Sequence, residues 1–390
     1  MKLLYSVLFL FGFGLSAPTL AAWDLNDVSY LMPLPKKVAT DSLLSLKSSA
    51  RGGFLLREAL VQRLPILSPQ LTREQAAASL RVMAVRIDPC FPLPTPQSCQ
   101  KQIRLVWQPL ESDRRNQVKT IDAALHSFYV LTDAEFATLL KDLEEWKKTY
   151  AINTNFVPLQ IHPAWAADGD SSPALAEFHK IITKLAGLEN LSRVTVMVLR
   201  GAGDMWAFAG FEMKDGKMEL MRIPRIDRMS QAFINLAVPS DHFTGGGILP
   251  LPTGADTLST ITNESEHLDV NSEDTIRKEI KAAYRIENPK NHTPENMDCV
   301  SCHVAQPAIH WALNKQAHLK LDQLWSHEIY KNPKYDLTNV SPDLLNTQII
   351  RGFGYFGRNM AISQRVINES AEVADQLNQG TAVKTQPPLR

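Results

Sequence analysis

Apolar and polar residues alternate through much of the first two thirds of the chain, which is the pattern of half-buried β-strands. The alternation predicts strands at 79–87, 101–110, 123–132, 193–199, 205–213 and 217–223. Asp215-Gly216 joins the last two, and this dipeptide is a strong cue for a two-residue hairpin turn. Short connections between successive strands favour a mostly antiparallel sheet.

Helical spacing marks other segments. Residues 133–151 and 174–188 predict two amphipathic helices beside the strands. Four more helices are predicted towards the C-terminus, at 271–286, from Pro307 to about Leu319, at 341–352 and at 363–380. The expected fold class is therefore an α+β N-terminal domain, with a mostly antiparallel sheet and helices, followed by a mainly α-helical domain.

A stretch rich in Pro and Gly, 239–257, is the best candidate for a domain boundary. We expect an α/β domain of unknown role over 23–260, a helical domain over 261–380 and a disordered tail over 381–390. The glycines at 201–210 and 243–257 do not form nucleotide loops. Trp206 stands where the third glycine of a dinucleotide loop belongs, and 243–257 has no Gly-Lys-Ser/Thr ending.

The N-terminus has the three-part layout of a secretory signal peptide. Lys2 precedes an apolar run from Leu3 to Leu15, and small residues follow up to Ala22. The run is shorter than the roughly 20 apolar residues that span a bilayer. We expect cleavage of 1–22, export to the periplasm or another exported location, and no transmembrane segment in the mature chain.

The balanced net charge argues against a protein that binds polyanions through an overall positive field. Lys plus Arg and Asp plus Glu are both 41, so no overall positive field attracts nucleic acid. Two of the four cysteines, Cys90 and Cys99, enclose a Pro-rich loop. In an oxidising compartment a disulfide is the expected state of such a pair, and two buried free thiols are the alternative.

The other two cysteines lie in the pentapeptide Cys299-Val-Ser-Cys302-His303. A thioredoxin-like site would follow a strand, but 287–298 is polar and turn-forming. A structural zinc site would need a second ligand pair. A structural disulfide would leave His303 unexplained. Covalent haem explains all three residues, because one helical turn brings both thiols to the two vinyl groups and carries the imidazole under the iron.

The sixth iron ligand has several candidates downstream: His310, His318, His327 and Met360. His310 follows His303 by about two helical turns and would lie on the same side of the porphyrin. Met360 lies in a segment with Gly352, Gly354 and Gly357, which is expected to be a loop that approaches a flat cofactor closely. We favour Met360 as ligand, with a flexible core residue as the alternative interpretation.

With these features the C-terminal segment resembles the class I monohaem cytochrome c family. That family has a helix before CxxCH, a helix before a methionine loop, and a closing helix that packs on the first. The resemblance implies one covalently attached haem c per chain. It makes Cys299 and Cys302 the thioether positions, His303 the proximal ligand and Met360 the distal ligand. The N-terminal domain resembles no family.

Three functions remain open from the sequence. The first is one-electron transfer to a redox partner protein through a His/Met haem, an electron carrier rather than an enzyme. The second is a haem enzyme or a gas or redox sensor with a labile sixth site. The third is an envelope binding module in which the haem is structural. No nucleic-acid partner is expected in any of them.

Overall fold

The structure is a computed structural model that describes residues 23–64, 67, 71–91, 99–200, 205–235, 242–243, 245–268, 272–324, 326–341, 350 and 352–380. The predicted signal peptide, the predicted tail and most of the predicted helix at 341–352 lie outside the described residues, as does part of the predicted boundary at 239–257.

The strands of the described chain are β1 (Ser29–Leu31), β2 (Ser49–Ala50), β3 (Gly53–Phe54), β4 (Leu80–Phe91), β5 (Gln100–Ser112), β6 (Val118–Thr120), β7 (Ala124–Leu131), β8 (Leu191–Arg200), β9 (Met205–Lys214), β10 (Lys217–Leu220), β11 (Ser230–Asn235), β12 (Gly245–Leu249), β13 (Phe353–Phe356) and β14 (Asn359–Ile362). Its α-helices are α1 (Leu25–Val28), α2 (Glu58–Val61), α3 (Arg73–Ser79), α4 (Asp133–Thr149), α5 (Pro173–Leu185), α6 (Ser259–Glu264), α7 (Glu273–Glu287), α8 (Cys299–Lys315), α9 (Leu321–Leu324) and α10 (Gln364–Asn378).

Within that part of the chain, a sheet of ten strands organises the molecule. Its order is β1-β4-β5-β7-β8-β9-β11-β12, with β6 paired to β5 and β10 paired to β9, and the pairs are antiparallel. The six predicted strands are confirmed, and so is the hairpin at Asp215-Gly216. The alternation of apolar and polar residues fixes these strands because one face of each must be buried.

The register separates the two faces of the sheet. Successive residues of a strand point to opposite faces. On β1, the Tyr30 ring packs on Trp146 of α4 and Phe178 of α5, with ring centroids 6.3 and 4.5 Å apart. The preceding residue, Ser29, faces the other way, and its hydroxyl lies 2.7 Å from that of Ser370 in α10. Helices α4 and α5 therefore cover one face, and α10 covers the other.

The C-terminal region does not form a separate helical domain. Ile367 and Ala371 of α10 are fully buried in the main hydrophobic cluster, together with core residues of the sheet. Asn378, at the end of α10, exchanges two hydrogen bonds with the backbone of Trp23, of 2.9 and 2.8 Å. The expected fold class, with a mainly α-helical cytochrome c-like domain after an α+β domain, is therefore wrong.

The segment around Met360 is a second correction. It was expected to be a loop, but β13 and β14 form a hairpin that turns at Gly357 and Arg358. Gly357 has a φ of +58°, which glycine adopts without strain. Gln108 of β5 holds the hairpin on the sheet through hydrogen bonds of 2.8 and 2.9 Å with the backbone of Tyr355. The aromatic residues Phe353, Tyr355 and Phe356 are thus strand residues of β13.

Helix boundaries were predicted unevenly. Helices α4, α5, α7 and α10 lie where the apolar spacing placed them. Helix α8 begins at Cys299, so Pro307 lies inside it and not in its first turn. The pentapeptide is therefore itself helical, in agreement with the single helical turn expected for it.

Two further features complete the fold. Cys90 and Cys99 form a disulfide, as expected. Within the described ranges, none of the helices combines the length and the apolar composition that crossing a bilayer requires.

Because α10 shares its core with the sheet, we expect Ile367→Ala to destabilise the whole molecule. The loss in the free energy of unfolding should be about 2–5 kcal/mol, as for other buried aliphatic truncations. Chemical denaturation should show one transition with a lowered midpoint. As a control, Gln379→Ala at the exposed end of α10 should change stability by less than about 0.5 kcal/mol. An unchanged sheet transition in Ile367→Ala would show that the C-terminal region folds independently.

Candidate haem-attachment site

The first turn of α8 carries the three residues of the predicted site. Asp298 is the N-cap, and its carboxylate accepts a hydrogen bond of 3.0 Å from the backbone N–H of Ser301. Cys299, Cys302 and His303 follow within this turn. A helix of 3.6 residues per turn brings side chains three or four positions apart to one side. The sequence prediction that one turn presents both thiols and the imidazole together is confirmed.

Gln231 of β11 fixes this turn on the sheet. Its amide N–H donates to the Asp298 carboxylate at 2.8 Å, and its amide oxygen accepts from the backbone N–H of Val300 at 2.9 Å. Gln231 is 2% exposed and Asp298 is 0% exposed. Since an unpaired buried polar group is unfavourable, these two hydrogen bonds define a single position for the start of α8.

A cavity lies where this turn faces the sheet. Its volume is about 210 Å³, and Cys299, Cys302 and His303 all line it. The opposite wall comes from β4, β5, β7, β8 and β9, and a third side comes from α10. Most of the lining side chains are apolar or aromatic, and the charged ones among them include Arg104, Arg193, Arg365 and Glu369.

His303 is oriented by two contacts. Its Nδ1 lies 2.6 Å from the backbone carbonyl oxygen of Ile350, which can only accept, so Nδ1 carries the proton and donates. The lone pair of the neutral ring then belongs to Nε2, the arrangement that metal-ligating histidines adopt. The ring also packs on Phe208 of β9, with centroids 5.1 Å apart.

The environment of the two thiols disfavours their thiolate forms. Burial raises the pKa of Cys299 to about 12, and the nearby Asp298 carboxylate adds to the effect. Burial likewise raises the pKa of Cys302 to about 12. A redox-active CxxC needs a lowered thiol pKa. Within the residues that the structure describes, no three His, Cys, Asp or Glu side chains are grouped to bind a metal ion.

A buried network of charges borders the cavity. Arg365 pairs with Glu369 at 2.7 Å, and Glu369 also pairs with Arg86 at 2.5 Å. Burial by itself would raise the pKa of Glu369, but Arg365 and Arg86 outweigh it and hold that pKa at about 2. Glu287 of α7 is 4% exposed, and its Oε2 is buried without a hydrogen-bond partner. Burial raises its pKa to about 8.

The predicted sixth ligand lies elsewhere. Met360 of β14 is paired with Tyr355, packs against the main hydrophobic cluster and does not line the cavity of Cys299 and His303. His318 and His327 also lie outside that lining and contact Glu273 and Glu328 at the surface. Met360 as distal ligand stays a prediction.

Sequence reasoning missed the residues that the sheet contributes. The cavity receives Phe208, Gly210, His126, Met197 and Met221 from strands or strand ends far from the pentapeptide in sequence. Nothing in their local pattern distinguishes them from ordinary strand residues, because only the pairing of the strands brings them to one face. For Gln231 no sequence signal exists.

No family model matches this chain, and neither a curated protein nor a solved structure matches it. The resemblance to the cytochrome c family stays a prediction that rests on the pentapeptide.

We expect Gln231→Ala to destabilise the protein by about 1–3 kcal/mol, because it leaves the buried Val300 N–H without a partner and removes one of the hydrogen bonds to the buried Asp298 carboxylate. Gln231→Glu is the matched control, because it keeps an oxygen that accepts from the Val300 N–H and loses the N–H that donates to Asp298. It should be worse, because it places a second carboxylate beside Asp298. Urea denaturation measures both changes. Equal stability of the wild type and both variants would show that this contact does not hold α8.

Stability should fall as the pH rises from about 4.5 to about 8 because of Glu287. In that range the folded protein retains a proton that the unfolded chain has released. Glu287→Gln removes this contribution, so its stability relative to the wild type should increase with pH across the window. Glu264→Gln, at an exposed site, serves as control. A wild-type and a Glu287→Gln profile that run parallel would contradict the assignment.

Proposed function

We propose that this protein is an exported monohaem c-type cytochrome that transfers single electrons. Cys299 and Cys302 would hold the haem as thioethers, and His303 would be the proximal ligand. The observation that carries the proposal is that all three side chains of one CxxCH turn line a single, largely apolar cavity. A CxxCH sequence that arose by chance would not be expected to direct all three side chains into one apolar cavity.

The residues around the cavity fit a haem chemically. The proton on Nδ1 of His303 leaves Nε2 as the ligating nitrogen. Apolar and aromatic side chains suit the porphyrin faces. Arg104 and Arg193, which pair with Asp88 and Glu295, would also supply cations for its propionates. Both guanidinium groups lie over the Phe91 ring, 5.1 and 6.0 Å from its centroid. The thiols are protonated at neutral pH, the form whose S–H adds across a vinyl group.

The size of the cavity implies movement of side chains. A volume of about 210 Å³ is below the roughly 300–1,000 Å³ of pockets that enclose small ligands. Side chains on the lining, such as that of the half-buried Met221, would have to change conformation, which the three rotatable bonds of methionine permit. The backbone of α8, held by Gln231, need not move.

When bound, the haem supplies one-electron chemistry at its iron. This chain's own residues orient the proximal imidazole, exclude water with aromatic side chains and balance buried charge through Arg365 and Glu369. A redox partner protein would receive or donate the electron. Export is part of the proposal, since covalent haem attachment requires it, and the disulfide between Cys90 and Cys99 agrees with an oxidising compartment.

A second candidate is a haem enzyme or a sensor with a labile sixth site. It is favoured by the position of Met360, which is outside the cavity lining. Carbon monoxide distinguishes the two functions. Slow or absent binding to the ferrous protein at neutral pH supports electron transfer, whereas rapid binding supports the second candidate.

We expect the haem to remain with the protein after acid–acetone extraction, and the double variant Cys299→Ser with Cys302→Ser to lose it to the solvent. A pyridine haemochrome spectrum of each fraction measures the haem. The double variant Cys90→Ser with Cys99→Ser is matched in chemistry and should retain its haem. Retention by the Cys299 and Cys302 variant would contradict attachment at these residues.

A further inference from the structure

Met221 directs its side chain into the cavity from the end of the β9–β10 hairpin. Its backbone N–H donates to the carbonyl oxygen of Gly210 at 2.9 Å, which continues the pairing of the two strands by one residue. The side chain then lies across Gly210. A Cβ atom built at Gly210 would overlap both Sδ and Cγ of Met221. Both residues line the cavity.

Gly210 is explained by this methionine. A glycine inside a strand weakens the strand and marks a place where another group approaches the backbone closely. Here the approaching group is a thioether, which would be displaced by any larger residue at 210. Gly210 therefore leaves the strand without a side chain at the point where the sulfur of Met221 enters the cavity.

The position of Met221 relates it to the proximal histidine. Phe208 and Gly210 lie two residues apart on the same face of β9, a separation of about 7 Å along the strand. His303 packs on Phe208, and Met221 lies over Gly210. The imidazole and the thioether thus border the same cavity beside neighbouring inward-facing positions of one strand.

The other cavity donors are less suited to move to the iron. Met197 is 4% exposed and belongs to the hydrophobic cluster that includes Phe208 and α8. Met297 accepts a hydrogen bond of 2.9 Å from Arg225 and lies two residues before Cys299. His126 is paired with Thr195 on β8, a further strand away from Phe208. Met221 is half-buried and belongs to none of the hydrophobic clusters of the described residues.

We propose that the thioether sulfur of Met221, lying over Gly210, is the sixth ligand of the haem iron. This inference rests on the proposed function, and it moves the distal ligand from the C-terminal hairpin to the sheet. The ligand set would then join α8 to the β9–β10 hairpin, so that the iron connects the two walls of the cavity.

The test compares Met221→Leu with the matched variant Met360→Leu, since leucine keeps the volume of methionine but has no donor. The pyridine haemochrome spectrum first establishes that each protein carries haem c. Ferric samples are then examined for the far-red charge-transfer band that an axial thioether produces, and ferrous samples for carbon monoxide binding. Met221→His is the rescue variant, because an imidazole restores a sixth ligand.

The expected result is loss of the far-red band and rapid carbon monoxide binding in Met221→Leu, with both properties unchanged in Met360→Leu. Met221→His should lack the band and resist carbon monoxide. The reverse pattern would assign the ligand to Met360 and overturn the inference. A wild type with haem but without the band would also overturn it. A wild type without covalent haem would refute the proposed function, a different result.

Discussion

Two hydrogen bonds from the side chain of Gln231 hold the first turn of α8 on the sheet, and the candidate site depends on them. The amide satisfies the N-cap carboxylate of Asp298 and the N–H of Val300 together, and both are buried. A shift of α8 by one residue would break both bonds and turn Cys299, Cys302 and His303 away from the cavity. The position of the three side chains is thus set from the sheet rather than from their own helix.

A charged network performs a similar function for α10. Arg86 and Arg104 on neighbouring strands share Asp88, and Arg86 also binds Glu369 of α10. Buried ion pairs contribute little net stability, but a single unpaired partner is strongly unfavourable. The network therefore selects one position of α10 on the sheet. It also leaves Arg365 and Glu369 beside the cavity with their charges balanced, which is compatible with the large apolar group proposed for this site.

The sequence predicted local features better than their assembly. Alternating strands, the helices at 133–149 and 364–378 and the pairing of Cys90 with Cys99 follow from residue patterns that act over short distances. The prediction of a separate helical domain was wrong because nothing in the sequence around Ile367 and Ala371 shows that these residues pack against the sheet. The segment around Met360 was expected to be a loop because Gly352, Gly354 and Gly357 outweighed the strand-forming aromatics. The sheet wall of the cavity could not be predicted, because it exists only through the register of β5, β7, β8 and β9.

The most direct measurement is the mass of the proteolytic peptide that contains residues 299–303, taken from the mature protein after export in a host able to attach haem. The account predicts a coloured peptide heavier than its amino acids by the mass of one haem, with both sulfurs resistant to alkylation. A colourless peptide of unmodified mass, with two thiols that react with iodoacetamide, would contradict it.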